Sequence, residues 1–348
     1  MDTMPHRSKW LRVVVSIGLA VGLLFFFLKN LDFAKVGQAI ASADPWAIGA
    51  AVLLSLLNIP IRSWRWTRLI RHVGPVSLRD SIAATCIGFA ATTLLPARAG
   101  EVVRPVALAR MTRLPAAPLL ASIGLERLID LMAILVLFVF YALGGWAPAA
   151  MSGDEGLRFA LLRRSALIMG AGTLAALAAL GVLAAFPERR ERFLEKVVGL
   201  LPERVGSRIL PLLSSFLKGF DAIKSGRDAA IVGLSSALLW LVISLQVHVS
   251  LRAFGLNHPF PVAFFVLTWA VLGLAIPTPG GVGGYHKAVA YALTGFYAAE
   301  ASTAAAFALV SHVISFVPIT VIGLVFLAGS GLSFGRLAEE PSGGNLPT

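Results

Sequence analysis

The sequence predicts an all-α fold: a polytopic helical membrane protein with about six full spans and two short broken segments. Hydrophobic residues make up 57% of the chain and charged residues only 14%, whereas a soluble domain carries about 25% charged residues. The mean hydropathy is +0.82. Several stretches reach the roughly 20 apolar residues that cross a hydrocarbon core. The chain therefore has too little charge to cover a water-exposed surface.

The distribution of the basic residues indicates a membrane partner. The net charge is +12, but the basic side chains lie in short loops between apolar segments. This pattern is typical of cytoplasmic loops beside anionic lipid headgroups, so we expect membrane lipids and no nucleic acid as partners. His6, Arg7 and Lys9 precede the first apolar run, which predicts a cytoplasmic N-terminus in a cell inner membrane. The single cysteine, Cys86, excludes an intrachain disulfide and a cysteine metal cluster.

The first two spans are predicted at about Trp10–Leu28 and Trp46–Trp66. The charge-balanced stretch Lys29–Asp44 between them is expected to be a loop outside the cell. A strongly basic exit from the second span returns the chain to the cytoplasm; its residues are Arg62, Arg65, Arg68, Arg71 and Arg79.

The next apolar segment, Ser81–Leu95, is about fifteen residues long, which is too short for a full span and favours a re-entrant segment. It ends at a break around Pro96 and Gly100. The stretch Arg98–Arg113 that follows is arginine-rich and is expected on the cytoplasmic side. Non-helical backbone at such a break is tolerated where it is buried in protein or lines a watery cavity.

The remaining elements repeat this order. A second short apolar segment, Pro261–Ile276, is broken at Pro277–Gly284 and followed by a moderately apolar stretch, Tyr285–Ala299. An amphipathic cytoplasmic connector is predicted at 187–227 and a disordered tail at 335–348, so that 1–348 is one multi-pass domain. The other predicted spans are about Pro118–Leu143, Arg164–Phe186, Ala229–Phe254 and Ser302–Leu327.

The two breaks predict an inverted repeat with halves at about 45–143 and 229–328. Residues 95–100 align without gaps with residues 276–281, and two of the six positions match, Pro96 with Pro277 and Gly100 with Gly281. Paired Pro/Gly-interrupted segments in two halves point to the central site of a transporter. The alternative is two unrelated kinks in a helical bundle.

Ionisable residues near the first break form the candidate site. Such residues are rare at membrane depth and are by default a functional hypothesis. Unpaired N–H groups at helix ends and arginine side chains both favour an anionic phosphate. Glu101 falls one turn from Ala97 and Pro105, so it is expected near both neighbouring arginines. A static salt-bridge cluster without substrate contact is the alternative. The candidates are Arg98, Glu101, Arg104, Glu126, Arg127 and Asp130.

The second break adds candidates of a different kind. Gly280, Gly281 and Gly283 would let a ligand approach the backbone closely, and His286 and Lys287 follow directly. We include all five in the predicted substrate-binding set. No histidine pair has convincing metal spacing, and no cofactor is expected.

At these residues the sequence resembles the flippase-like family named for the transmembrane region of lysylphosphatidylglycerol synthase, the MprF type. The resemblance rests on three motifs, at 96–104, 126–130 and 277–283. It implies movement of lipids or lipid-linked headgroups between leaflets. Two departures are that no aminoacyl-transferase domain follows the last helix and that His286 stands where relatives are expected to be acidic.

The resulting hypothesis is a translocator of a phospholipid or lipid-linked headgroup that is not an enzyme. The sequence contains no P-loop, so a gradient or downhill lipid movement is expected to drive it. One alternative is an integral-membrane enzyme acting on a lipid-linked substrate, with Glu126 or Asp130 as base. Another is a scaffold of an envelope-lipid pathway that binds partners through 187–227; a homo-oligomer is a further expectation.

Overall fold

A computed structural model describes residues 6–29, 31–96, 98–146, 154–185, 196, 199, 226–334 and 337. All regular secondary structure in these ranges is helical, which confirms the predicted all-α class. The connector predicted at 187–227 lies almost wholly outside the described residues, and so does the tail predicted at 335–348.

The helices follow the predicted spans to within a few residues, except at the start of the fourth span. In chain order they are α1 His6–Leu28, α2 Phe33–Ala41, α3 Pro45–Leu69, α4 Leu78–Leu94, α5 Gly100–Thr112, α6 Ala116–Leu143, α7 Asp154–Ala185, α8 Gly226–Ala253, α9 Val262–Leu274, α10 Gly284–Tyr297 and α11 Ala301–Gly329.

Length and composition confirm a polytopic helical membrane protein. Among the described helices, α3, α8 and α11 are long and apolar enough to cross a membrane, and α9 and residues 18–28 of α1 are shorter apolar helices. Helix α6 is 28 residues long but carries Glu126, Arg127 and Asp130. The total of about six full spans stays a prediction.

Three stretches that lie outside the predicted spans are helical. The predicted loop Lys29–Asp44 contains α2, because the Asp32 side chain accepts hydrogen bonds from the first backbone N–H groups of that helix and so caps it. Most of Arg98–Arg113 is α5, whose apolar side chains are buried against neighbouring helices. Helix α7 already begins at Asp154, ahead of the predicted start at Arg164.

Helices α4 and α5 pack side by side as a hairpin around the first break. Their approach is close at Gly88, where an added Cβ would lie 2.5 Å from the Cβ of Arg104. At Gly100, an added Cβ would overlap the carbonyl oxygen of Gly88. Only glycine allows backbones this near to each other. The chain thus folds back at the break, as a re-entrant segment requires, and its cytoplasmic side stays a prediction.

Helices α9 and α10 form the corresponding hairpin around the second break. The turn between them contains a short 3-10 helix, Pro279–Gly281. An added Cβ at Gly273 would lie 2.5 Å from the carbonyl oxygen of Gly284, so these helices also cross at glycine. Gly283 has φ +84°, a conformation that side chains with a Cβ rarely adopt.

The two halves pack on each other in a reciprocal pattern. Helix α3 packs against α8, α4 packs against α11, and α9 packs against α6. The first limb of each hairpin therefore contacts the last helix of the opposite half. This is the contact pattern expected of an internal repeat, and its inverted orientation stays a prediction.

Apolar packing surrounds both hairpins. One core cluster centres on α9, α10 and α11, with Phe265 and Phe307 nearly inaccessible to solvent. A second cluster joins α3, α4, α5 and the start of α6 around Trp66 and Ile87. These clusters fix the positions of the two breaks relative to one another.

Replacing Gly100 with valine tests the close crossing of the first hairpin. The new side chain would overlap Gly88 and Thr92, and overpacking costs about 1–3 kcal/mol of unfolding free energy. We expect a lowered thermal midpoint of the purified protein in detergent. Gly49→Val is the matched control, because nothing lies within 4 Å of its added Cβ. Equal midpoints for the two variants would contradict the crossing.

Candidate functional site

A buried ion cluster joins α3, α5 and α6. Its centre is the Oε1 atom of Glu126, whose side chain is fully buried. Four arginines approach that single oxygen: Arg104 and Arg127 at 2.9 Å, Arg62 at 3.1 Å and Arg65 at 3.4 Å. Glu126 lies ten residues after Ala116, which is roughly 15 Å along the helix at about 1.5 Å per residue.

Asp130, one turn later on α6, completes the cluster. Its Oδ1 atom lies 2.8 Å from Arg65, and its Oδ2 atom lies 3.1 Å from Arg62 and 3.0 Å from Arg127. The Trp240 indole of α8 donates a hydrogen bond of 3.1 Å to Oδ1. The cluster therefore also ties the second half of the chain to the first.

Arg62 and Arg65 correct the sequence interpretation. The sequence pattern places them in the basic cytoplasmic exit of the second span, but they are 5% and 0% exposed and bind both carboxylates. The sequence held a signal that could have identified them. Both precede Trp66, the predicted end of that span, and an arginine inside a span calls for a buried partner.

The cluster contains more positive than negative charge. Four arginines face two carboxylates, an excess of two positive charges among the side chains of the cluster. Several of its polar atoms are buried without a hydrogen-bond partner. Such atoms are costly unless a ligand or water satisfies them. They are Nε of Arg62, Nε and Nη2 of Arg65, Nε and Nη2 of Arg104, and Oε2 of Glu126.

A cavity of about 160 Å³ lies beside this cluster, between the two broken segments. One water needs roughly 10–15 Å³ in such a space, so the cavity accommodates several waters or a small anionic group. Six of the predicted site residues line it: Arg98, Glu101, Arg104, Arg127, Gly280 and Gly281. Three of the four ionisable side chains in that set are cationic, which makes the cavity electropositive.

Arg98 connects the two breaks. It has φ +53° in the first break, and its Nη2 atom donates a hydrogen bond to the carbonyl oxygen of Leu274 at the end of α9. A carbonyl at a helix C-terminus has no partner within its own helix, so this contact satisfies one of them. Arg98 lies 3.9 Å from Glu101. Arg104 pairs with Glu126 instead, although Arg98, Glu101 and Arg104 all line the same cavity.

The other predicted residues lie away from the cavity lining. Glu126 and Asp130 are buried in the ion cluster behind it. Nδ1 of His286 accepts a hydrogen bond of 3.2 Å from the Gly283 N–H, and the ring packs against His312 with centroids 4.7 Å apart. Lys287 is exposed, 4.8 Å from the centre of the Phe26 ring.

A second cavity of about 150 Å³ shares three lining residues with the first. These residues, Phe89, Leu274 and Phe316, are called the septum below. The second cavity is mostly apolar but contains Arg62 and Gln246. Arg62 pairs with Glu126 and Asp130, and Glu126 also pairs with Arg104 and Arg127 of the first cavity.

The described residues hold no group of three or more histidine, cysteine, aspartate or glutamate side chains arranged for a metal ion.

The sequence matches the family model for the transmembrane region of lysylphosphatidylglycerol synthase over residues 10–323. The chain belongs to this family. The match spans the ion cluster and both broken segments, and it confirms the resemblance drawn from the motifs.

A relative named glycosyltransferase AglD, from Haloferax volcanii, is 27% identical over 96% of this chain. That alignment covers 56% of the relative, so the chain spans about half the length of AglD. The name contradicts the expectation that the chain is not an enzyme, and that expectation is withdrawn. A UPF0104 membrane protein of Methanothermobacter thermautotrophicus is 23% identical over 88% of this chain and 90% of its own length.

The family and the two relatives indicate a membrane protein of a lipid or lipid-linked pathway.

Replacing Glu126 with glutamine tests whether this carboxylate holds the cluster together. Four arginines would lose their shared partner, and breaking a buried ion pair costs about 3–5 kcal/mol of unfolding free energy. We expect a large loss of stability in a denaturant titration of the detergent-solubilised protein. Glu101→Gln is the control, because its ion pair with Arg98 is long and partly exposed and is worth under about 1 kcal/mol. Equal losses would refute the central position of Glu126.

Proposed function

We propose that the chain moves a phosphate-bearing lipid headgroup between membrane leaflets through the two cavities. The observation that carries this proposal is the electropositive cavity between the broken segments, beside a cluster with excess positive charge. The lipid tails would stay in the bilayer while the headgroup crosses. Such movement would deliver a lipid, or a lipid-linked intermediate, to the opposite leaflet.

The arginines that line the first cavity would bind the phosphate. Arg98 and Arg127 are 41% and 42% exposed at their side chains, so they can reach a ligand without leaving a fully buried position. Arg104 is buried beside them, and hydrogen bonds from guanidinium groups to phosphate are short and strong. Glu126 would hold Arg104 and Arg127 in place during binding.

The septum of Phe89, Leu274 and Phe316 would separate the two positions of the headgroup. Leu274 accepts the hydrogen bond from Arg98, so a phosphate that draws Arg98 away would release this end of α9. The adjoining turn contains Gly280, whose carbonyl oxygen lies 2.8 Å from Nε2 of His312. Because of this contact, a movement of the second break that opens the septum would also affect α11.

A second candidate function is glycosyl transfer on a lipid-linked substrate. The observation that favours it is the similarity to AglD, which is named a glycosyltransferase and aligns with nearly all of this chain. The same cavity would then hold the phosphate of the lipid carrier during the reaction.

We also propose an inner-membrane location with a cytoplasmic N-terminus. Arg68, Arg71 and Arg79 remain exposed at and beyond the end of α3, and such residues favour the cytoplasmic side. The burial of Arg62 and Arg65 removes two arginines from this argument but leaves its direction unchanged.

Lipid movement in liposomes tests the primary proposal. Fluorescent lipids with anionic, zwitterionic and cationic headgroups are reconstituted with the protein, and dithionite then quenches the outer leaflet. We expect the protein to accelerate loss of the protected signal for an anionic lipid, and Arg98→Gln and Arg127→Gln to slow it at least fivefold. Arg68→Gln is the matched control, because this exposed arginine packs over Trp64 outside the cluster.

Two results would count against translocation through this site. One is no acceleration for any lipid class, and the other is equal slowing by Arg68→Gln.

Incubation of the same liposomes with radiolabelled sugar donors and polyprenyl phosphate tests the second candidate function, glycosyl transfer. Formation of a glycosylated lipid that Arg127→Gln abolishes would favour glycosyl transfer.

Cysteine labelling tests the proposed orientation. In a Cys86→Ala background, Gln38→Cys on α2 and Pro75→Cys before α4 each place a single thiol at an exposed position. We expect a membrane-impermeant maleimide to label the first in intact spheroplasts and the second only after lysis. The opposite pattern would reverse the proposed topology.

A further inference from the structure

We infer that the cavity selects a dianionic phosphate, a phosphomonoester or diphosphate, over a singly charged phosphodiester. This inference rests on the proposed function, because it names the class of headgroup that the same cavity binds.

The charge count of the cluster carries the first part of the argument. Arg62, Arg65, Arg104 and Arg127 contact Glu126, and three of them also contact Asp130. Every arginine of the set has a carboxylate partner, but the six side chains together carry a net charge of +2. The Arg98–Glu101 pair at 3.9 Å is neutral as a whole and does not change the excess.

Burial limits how far water can neutralise this excess. The two carboxylates and three of the arginines are at most 5% exposed, and only Arg127 among these six side chains is open to water, at 42% exposure. A charge removed from water is costly unless it is paired and hydrogen-bonded. The excess therefore favours a ligand whose own charge restores neutrality.

Arg104 supplies the geometric part of the argument. Its Nη1 atom binds Glu126 at 2.9 Å, and its guanidinium carbon lies 4.0 Å from the centre of the Trp66 ring. Its Nε and Nη2 atoms are buried and have no partner. These two atoms form one edge of the planar guanidinium, which matches two phosphate oxygens in a bidentate contact. The same residue lines the cavity.

The number of ligand charges follows from these two observations. A phosphodiester carries one negative charge and would leave one positive charge of the excess without a partner. A phosphate monoester carries about −1.5 to −2 at pH 7 and offers three acceptor oxygens. It would neutralise the excess and still satisfy the free edge of Arg104.

Equilibrium binding to two lipids that differ only at the phosphate tests the inference. Phosphatidic acid is a monoester and phosphatidylmethanol is the corresponding diester; both are used with the same acyl chains, in mixed micelles at pH 8 with the full-length purified protein. We expect phosphatidic acid to bind at least tenfold more tightly. Inorganic phosphate is added as a competitor to ask whether the lipid tail contributes.

Three variants separate charge from geometry. Arg127→Gln lowers the excess to one, so we expect the preference for phosphatidic acid to shrink to about threefold or less. Arg104→Lys keeps the charge but loses the bidentate edge, so both lipids should bind more weakly while the preference remains. Arg68→Gln, outside the cluster, should retain the preference of the unmodified protein.

The outcomes distinguish this inference from the function on which it rests. Equal binding of the two lipids would overturn the dianion selectivity and leave lipid translocation standing. If neither lipid binds, the proposed function fails as well. If inorganic phosphate competes as effectively as phosphatidic acid, a free anion is the ligand and the lipid assignment is overturned. An unchanged preference in Arg127→Gln would refute the charge argument.

Discussion

The contact on which the rest of the structure depends is that between one carboxylate oxygen and four arginines. Oε1 of Glu126 receives Arg62 and Arg65 from α3, Arg104 from α5 and Arg127 from its own helix. These helices could not place their cations in an apolar bundle separately, because a buried unpaired charge is costly. The shared carboxylate therefore sets the position of the first hairpin relative to α3 and α6. Asp130 shares three of these arginines and accepts a hydrogen bond from Trp240, so the cluster also contacts the second half.

The cluster holds helices together, and some of its buried hydrogen-bonding groups have no partner. An ion network that served packing alone would be expected to balance its charges, and replacing it with apolar residues would often be neutral or stabilising. Here two positive charges are in excess, and the Nε–Nη2 edge of Arg104 is unpartnered beside a cavity. The static-cluster interpretation of the sequence fits the buried carboxylates, and the substrate-site interpretation stays a proposal that the cavity-lining arginines support. Glu126 and Asp130 face inward, and Arg98, Arg104 and Arg127 line the cavity.

The two broken segments are related by how they pack as well as by their sequence. Each forms a hairpin that crosses at glycine, and each first limb packs on the last helix of the opposite half. Arg98 and Leu274 then join the breaks directly. Because each hairpin packs on the opposite half, the two breaks share their surroundings. Phe89, Leu274 and Phe316 border both cavities.

The sequence by itself determined the helical class, the positions of both breaks and the family, because apolar run length, Pro/Gly interruptions and motif spacing are local properties of the chain. It also singled out Glu126 and Asp130, because ionisable residues within an apolar segment stand out, and Arg104, because it follows the first break. Only the tertiary structure decided that Arg62 and Arg65 are buried, that α5 is a packed helix, and that His286 and Lys287 do not line the cavity. The reason is that a charge pattern along the chain does not show which face of a helix meets a partner. Glu126 lies 64 positions from Arg62, and only the packing of α3 against α6 brings them together.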